Sequence, residues 1–330
     1  MMIAMHAPDG FLEPGVAVAT AAISLVVMAF AVRSASRELG DRQVPLAGVT
    51  AAFVFAAQMF NFPVASGTTG HLLGGALAAI LLGPWVGSLV VGVVVLVQAL
   101  VFADGGLTAL GYNVLNMAIV PAFGGWAIFW LVRRLLPKNA GGVIGATAIA
   151  SGMSVVLASI AFSIEWLFGA TAPVPFDTVF GAMVGVHTLI GIGEAVVSSM
   201  VVATVLAARP DLVAGARDLD TAQLADRPRV GVRTFVMAGV LVAALFAMVV
   251  SQFAASGPDG LEKVAADQGF AAGAQDHGFA DSVFADYATR GIGNEELSLA
   301  IAGITGVALA LTVGAGLVIA ARQLRRRPAV

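Results

Sequence analysis

The feature that most constrains this chain is the recurrence of apolar runs about as long as a bilayer is thick. A helix needs ~20 predominantly apolar residues to cross the hydrocarbon core, and runs near that length occur at residues 14–33, 44–61, 85–102, 112–132, 143–168, 178–207, 234–255 and 298–321. A shorter run covers 71–82. Hydrophobic residues make up 59% of the chain and charged ones 11%, with mean hydropathy +0.94. Soluble domains are roughly one quarter charged, so this is an integral membrane protein. The expected fold is all-α and polytopic: a seven-helix core followed by two C-terminal transmembrane helices. Of the nine segments, eight are expected to span and the short one to be buried or tilted.

Basic residues orient the chain. With the amino terminus outside, Arg33, Arg37 and Arg42 fall in the first inner loop, and Arg133, Arg134 and Lys138 in the next. Arg209, Arg217, Arg227, Arg229 and Arg233 follow, and Arg322, Arg325, Arg326 and Arg327 complete the set. On this threading 15 of the 17 basic residues face the cytoplasm, as the positive-inside rule requires. The count works only if 71–82 changes sides. A plasma-membrane location follows, with the carboxyl terminus cytoplasmic. Nothing before Arg33 is basic, so the n-region of a cleavable signal peptide is missing and the first helix is expected to be retained. Cysteine is absent, which excludes disulfides, thiolate metal sites and cysteine catalysis.

Three segments are expected along the chain: a core at 1–208, a polar linker at 209–233 carrying Pro210 and Pro228, and a second part at 234–330. The second part holds an outer loop at 256–297, too long for a simple connection. Its acidic residues are Asp259, Glu262, Asp267, Asp276, Asp281, Asp286, Glu295 and Glu296, against Lys263 and Arg290. It reads as a soluble excursion. Asp259 and Gly260 after Pro258 read as a turn followed by a helix start.

Two histidines on the expected outer rim suggest a transition-metal site, since neutral imidazole is the commonest metal ligand. His6 lies near the amino terminus, and His71 follows Gly67-Thr68-Thr69-Gly70 and is expected to open a helix. The competing reading is a solvated terminal histidine and a helix cap.

The motifs around them narrow the choice. Met5-His6-Ala7-Pro8-Asp9-Gly10-Phe11-Leu12, Gly67-Thr68-Thr69-Gly70-His71-Leu72-Leu73-Gly74-Gly75, Asp104-Gly105-Gly106-Leu107-Thr108-Ala109-Leu110-Gly111 and Asn113-Val114-Leu115-Asn116-Met117-Ala118 together resemble the CbiM/NikM family. Its members are the substrate-specific membrane components of energy-coupling factor transporters for cobalt and nickel. The stretch from Pro258-Asp259-Gly260-Leu261-Glu262 resembles the small CbiN/NikN-type component, here fused to the first.

The resemblance implies a metal held by the Met5 amine, the His6 amide and ring, and the His71 ring. That carry-over needs Met5 to be the first residue, so translation is expected to begin there. Four nitrogens, one a deprotonated amide, favour Cu(II) or Ni(II) in a tetragonal field. The Gly67-to-Leu72 segment resembles the nickel branch, so Ni(II) is the expected substrate and Co(II) the alternative. Binding sheds protons, so affinity should fall with pH.

Candidates to orient the imidazoles are Asn113 and Asn116, three apart on one helical face, with Ser66, Thr69 and Asp104; helix capping explains each equally well. His187 and Glu194 are seven apart, about 10 Å along one helix face. They serve either metal release or interhelical hydrogen bonding. His277 reads as a surface residue.

No G-x-x-x-x-G-K-[ST] is present, and neither Lys138 nor Lys263 follows a glycine-rich turn, so no nucleotide is bound by this chain. The resemblance implies a membrane-embedded coupling subunit and ATPase subunits as partners; no nucleic acid is expected. The small-residue face Ala47, Ala51, Ala52 and Ala56 serves either as a docking surface or, more simply, as internal packing. An autonomous ion-coupled permease with His187 and Glu194 as a proton relay is the runner-up. A metalloenzyme is disfavoured, since no H-E-x-x-H occurs and a four-nitrogen square leaves little room for an activated water.

Overall fold

Backbone polar groups in lipid must be satisfied within the chain, and here helices do nearly all of it. The structure, a computed structural model, describes residues 6–38, 44–65, 67–219 and 230–326. Helices α1 (Pro14–Glu38) and α2 (Val44–Gln58) are followed by a short antiparallel hairpin, β1 (Phe62–Pro63) and β2 (Thr69–Gly70). Then come α3 (Gly75–Leu82), α4 (Pro84–Val101) and a rod made of α5 (Leu110–Val114), a π-helical turn (Leu115–Ile119) and α6 (Val120–Arg133). Long helices α7 (Ala140–Gly169) and α8 (Phe176–Ala208) pack side by side and close the first part. The second part has α9 (Val232–Met248), a short α10 (Gly260–Gln268) and α11 (Glu295–Arg326).

Among the described residues seven helices are long and apolar enough to cross a membrane. Their outward faces carry Leu25, Phe30, Leu131, Phe168, Ile192, Met200 and Leu241, all more than half exposed. So large an apolar surface is unstable in water and suits lipid.

Two expected spans are shorter than the apolar runs suggest. The run 44–61 yields only Val44–Gln58, about 22 Å of helix at 1.5 Å per residue. Pro63 lacks an N–H and drives Phe62 out of helical geometry, so the chain turns into the hairpin. The helix expected to open at His71 instead begins at Gly75. Residues 71–74 are non-helical, with Gly74 left-handed at φ 78°, because tertiary partners hold them: Gln58 Nε2 donates to the Leu73 carbonyl, and the Leu73 and Gly74 N–H groups donate to Glu194.

This segment nonetheless crosses the molecule. The hairpin meets residues 257–258 at one end, while Ile80 packs against Gly215 at the other. At that second face Arg133 pairs with Asp218 at 3.1 Å and Arg209 with Asp211 at 2.8 Å.

The small-residue face of α2 is covered from within. Ala47, Ala51, Ala52 and Ala56 are fully buried, and α11 packs along α2 with Gly314 against Ala51. The internal-packing reading therefore holds. The outer loop does not float free: the Asp286 N–H donates to the Phe102 carbonyl, and Gln275 bridges to Asp9.

Candidate metal centre

The amino-terminal segment is held by groups that its own motif and the Asp104–Gly111 motif supply. Asp9 sits at the start of the α5–α6 rod, where its carboxylate accepts from the N–H groups of Leu107 (3.0 Å), Thr108 (2.7 Å) and Ala109 (3.2 Å) and from the Thr108 hydroxyl. A carboxylate there satisfies the turn N–H groups just ahead of the helix and complements the helix dipole. Asn113 grips Ala7 from both sides, accepting from its N–H at 3.2 Å and donating to its carbonyl at 2.9 Å. The Tyr112 hydroxyl donates to the Pro8 carbonyl. Gly106 is required by close approach, because a Cβ there would collide with the Asp9 backbone and carboxylate.

These contacts deliver His6 into the interior, where its side chain is fully buried. Its Nδ1 lies 3.3 Å from the Asp104 carbonyl and 3.8 Å from the Asp104 carboxylate, whereas Nε2 has no hydrogen-bond partner among the described residues. Burial pulls the ring's pKa down, Asp104 pushes it up, and the neighbouring His71 lowers it further. A neutral ring is the form that binds metal. Asp104 also accepts from the Tyr287 hydroxyl at 2.6 Å.

His71 follows β2 directly, in the non-helical segment before α3. Its Nδ1 is 3.1 Å from the Leu72 carbonyl, and Nε2 is 3.9 Å from Asp259 Oδ2. The two imidazole centroids are 6.1 Å apart at 65°. Both rings line one pocket with Asn113, Asn116, His187 and Asp259. Among the described residues no three His, Asp or Glu side chains form a metal cage, so the rings need donors of another kind to complete one.

The other candidates divide. Asp104 contacts His6 directly, but neither asparagine has a hydrogen bond to a ring: Asn113 fixes the backbone at Ala7, and Asn116 donates to Glu165 at 2.7 Å. Thr69 ties its loop to the second part, with its N–H to the Pro258 carbonyl and its hydroxyl to Gly257. Glu194 is buried and holds the segment that carries His71. His187 engages the Met183 carbonyl through Nδ1 at 2.8 Å and lies against Gly260. His277 does not line the pocket and accepts from the Phe279 N–H. Met5 and Ser66 lie outside the described residues.

Sequence reasoning missed two carboxylates. Glu165, buried beside Asn116, carried a usable signal as an ionisable residue within a span. Asp259 did not. The turn and helix start expected there are present as a capping box with Glu262, but nothing local places it beside His71.

Comparison with known proteins decides the family. Residues 6–212 match CbiM, described as the cobalt uptake substrate-specific transmembrane region. The chain belongs to the CbiM family. Residues 233–323 match the PDGLE domain, so the resemblance drawn from the motifs holds for both parts. A putative fused nickel transport protein NikMN of Archaeoglobus fulgidus is 35% identical over 310 residues, 94% of this chain and 97% of its own. The fused nickel transport protein NikMN of Rhodobacter capsulatus is 32% identical over 352 residues, 98% and 99% of the two chains. A crystal structure of a truncated transition metal transporter superposes with a TM-score of 0.54 at 32% identity, covering 61% of this chain and 98% of that one. CbiM proteins are transport proteins, not enzymes.

Proposed function

We propose that this chain is the substrate-binding component of an energy-coupling factor importer that captures Ni(II), with Co(II) the alternative, through the Met5 amine, the His6 amide and ring, and the His71 ring. One observation carries the reading. Imidazoles far apart in sequence meet at 6.1 Å and line one pocket. Two rings sharing one ion at about 2 Å per nitrogen have centroids no more than about 6.5 Å apart, so a single ion can bridge them.

The His6 amide nitrogen and ring close a six-membered chelate only through Nδ1. Loading therefore exchanges the Nδ1 contact with Asp104 for the metal. Nickel is supported by the all-nitrogen donor set and by the names of the two relatives that span nearly the whole chain. Separate coupling and ATPase subunits drive transport, since the sequence lacks a phosphate-cradling loop. The arginine-rich face is cytoplasmic, with the pocket and the amino terminus outside. The core at 1–208, linker at 209–233 and second part at 234–330 belong to this reading.

The autonomous permease finds less support. Glu194 commits both oxygens to the Leu73 and Gly74 N–H groups, and His187 Nδ1 is engaged by Met183, so the two do not form a relay. Metal analysis of the purified protein tests the proposal: one nickel per chain is expected, lost in both His6→Ala and His71→Ala. Stoichiometric nickel in either variant overturns it. Amino-terminal sequencing tests the start at Met5.

A further inference from the structure

Asp259 uses its two oxygens differently. Oδ1 caps α10 by accepting from the Glu262 N–H at 2.8 Å, while the Glu262 carboxylate accepts from the Asp259 N–H. Oδ2 faces the pocket, 3.9 Å from His71 Nε2. That distance is too long for a hydrogen bond. It lies within the ~4.2 Å that one ion about 2.1 Å from an oxygen and a nitrogen would span.

A second observation points to a ligand at the same place. His6 Nε2 is buried in that pocket with no partner among the described residues, and a buried polar atom in that state calls for an explanation. The pocket is covered on this side by the turn itself, since Asp259, Gly260 and Leu261 line it. Glu262 stands partly exposed, and Asp259 is 5% exposed behind it. Within the pocket Asp259 Oδ2 and His71 Nε2 stand 3.9 Å apart, an oxygen beside a nitrogen, with Glu262 partly exposed on the far side of the cap. A hydrated divalent ion is attracted by carboxylates over a longer range than by neutral imidazoles.

Building on the two-histidine reading, we propose that Asp259 is a capture ligand supplied by the second part. Its Oδ2 takes the incoming divalent transition-metal ion at the covered mouth of the pocket and passes it to His71 Nε2. The covering turn thereby serves loading as well as closure. Thr69 keeps the hand-over in register, because its bonds to Gly257 and Pro258 fix the turn on the hairpin that leads to His71.

Stopped-flow loading of the full chain in detergent with Ni(II) sulfate, followed by the absorbance of the nickel–nitrogen chromophore, tests this. Asp259→Asn and Asp259→Ser both preserve an N-cap while removing the carboxylate, so a purely structural role predicts parental loading. The expected result is loading at least tenfold slower in both, with release into excess chelator within about twofold of the parent. Loading at the parental rate in both variants, or release more than tenfold faster, overturns the inference. If those results come while His6→Ala and His71→Ala lose nickel, the two-histidine site stands and only the role of Asp259 falls. Nickel retained in the histidine variants overturns both.

Discussion

Replacing Asp9 by alanine should uncouple the metal-binding segment from the membrane core without unfolding the core. The Asp9 carboxylate accepts from three backbone N–H groups and one hydroxyl, and the residue is 8% exposed. Hydrogen bonds to a charged group contribute ~1.5–3 kcal/mol each when isolated, but four bonds sharing one carboxylate are not additive. An N-cap alone is worth ~1 kcal/mol, so about 3 kcal/mol is a reasonable total. Much of this loss falls on docking residues 6–12, because the rod from Leu110 to Arg133 is also held by packing on α3, α4 and α7. When only the docked fraction binds metal, apparent affinity drops in proportion to that fraction. A full 3 kcal/mol then weakens nickel binding about a hundredfold, and less if docking is stable by a wide margin. Competition titration against a chromophoric chelator measures it, with helical circular dichroism unchanged as the control. An affinity within twofold of the parent would refute the view that Asp9 organises the site.

Gly106→Ala should reach the same end by a steric route. Its Cβ would fall on Asp9, so nickel binding should weaken at least tenfold while the protein still purifies as a folded membrane protein; binding at parental strength would contradict the close approach. Glu194→Gln places an amide NH2 where a backbone N–H needs an acceptor, at a cost of ~1–3 kcal/mol. Its thermal midpoint should fall clearly while nickel stoichiometry stays at the parental value. Lost nickel without lost stability would assign Glu194 to transport chemistry.

The CbiM-type motifs were legible as residue patterns, and the structure shows two of them to be partners: the aspartate of Ala-Pro-Asp-Gly-Phe accepts from the N–H groups of residues 107–109, and the glycines of Asp-Gly-Gly-Leu-Thr leave room for the segment that carries His6. His6 and His71 stand out in the sequence because few residue types suit a transition metal. Asp104 was likewise a reasonable neighbour. Asn113 and Asn116 share a face as expected, yet they serve backbone and carboxylate partners instead of rings. A three-residue spacing fixes which side of a helix a group occupies, not what stands opposite. His71 was misread as helical for a related reason. An apolar run scores the same whether extended or helical, and Gln58 and Glu194, remote in sequence, chose for it.

By itself, then, the sequence determined the solvent, the helical class, the family and the two imidazoles. These depend on composition, on runs as long as the bilayer is thick, and on short motifs recognisable by their residue types. Tertiary structure alone decided that Glu194 clamps the His71 segment, that α11 covers the small-residue face of α2, and that Asp259 reaches the pocket from the second part. Each is a contact between groups more than a hundred positions apart. Such contacts are set by how packed helices cross, a property of the whole assembly that no window of sequence contains.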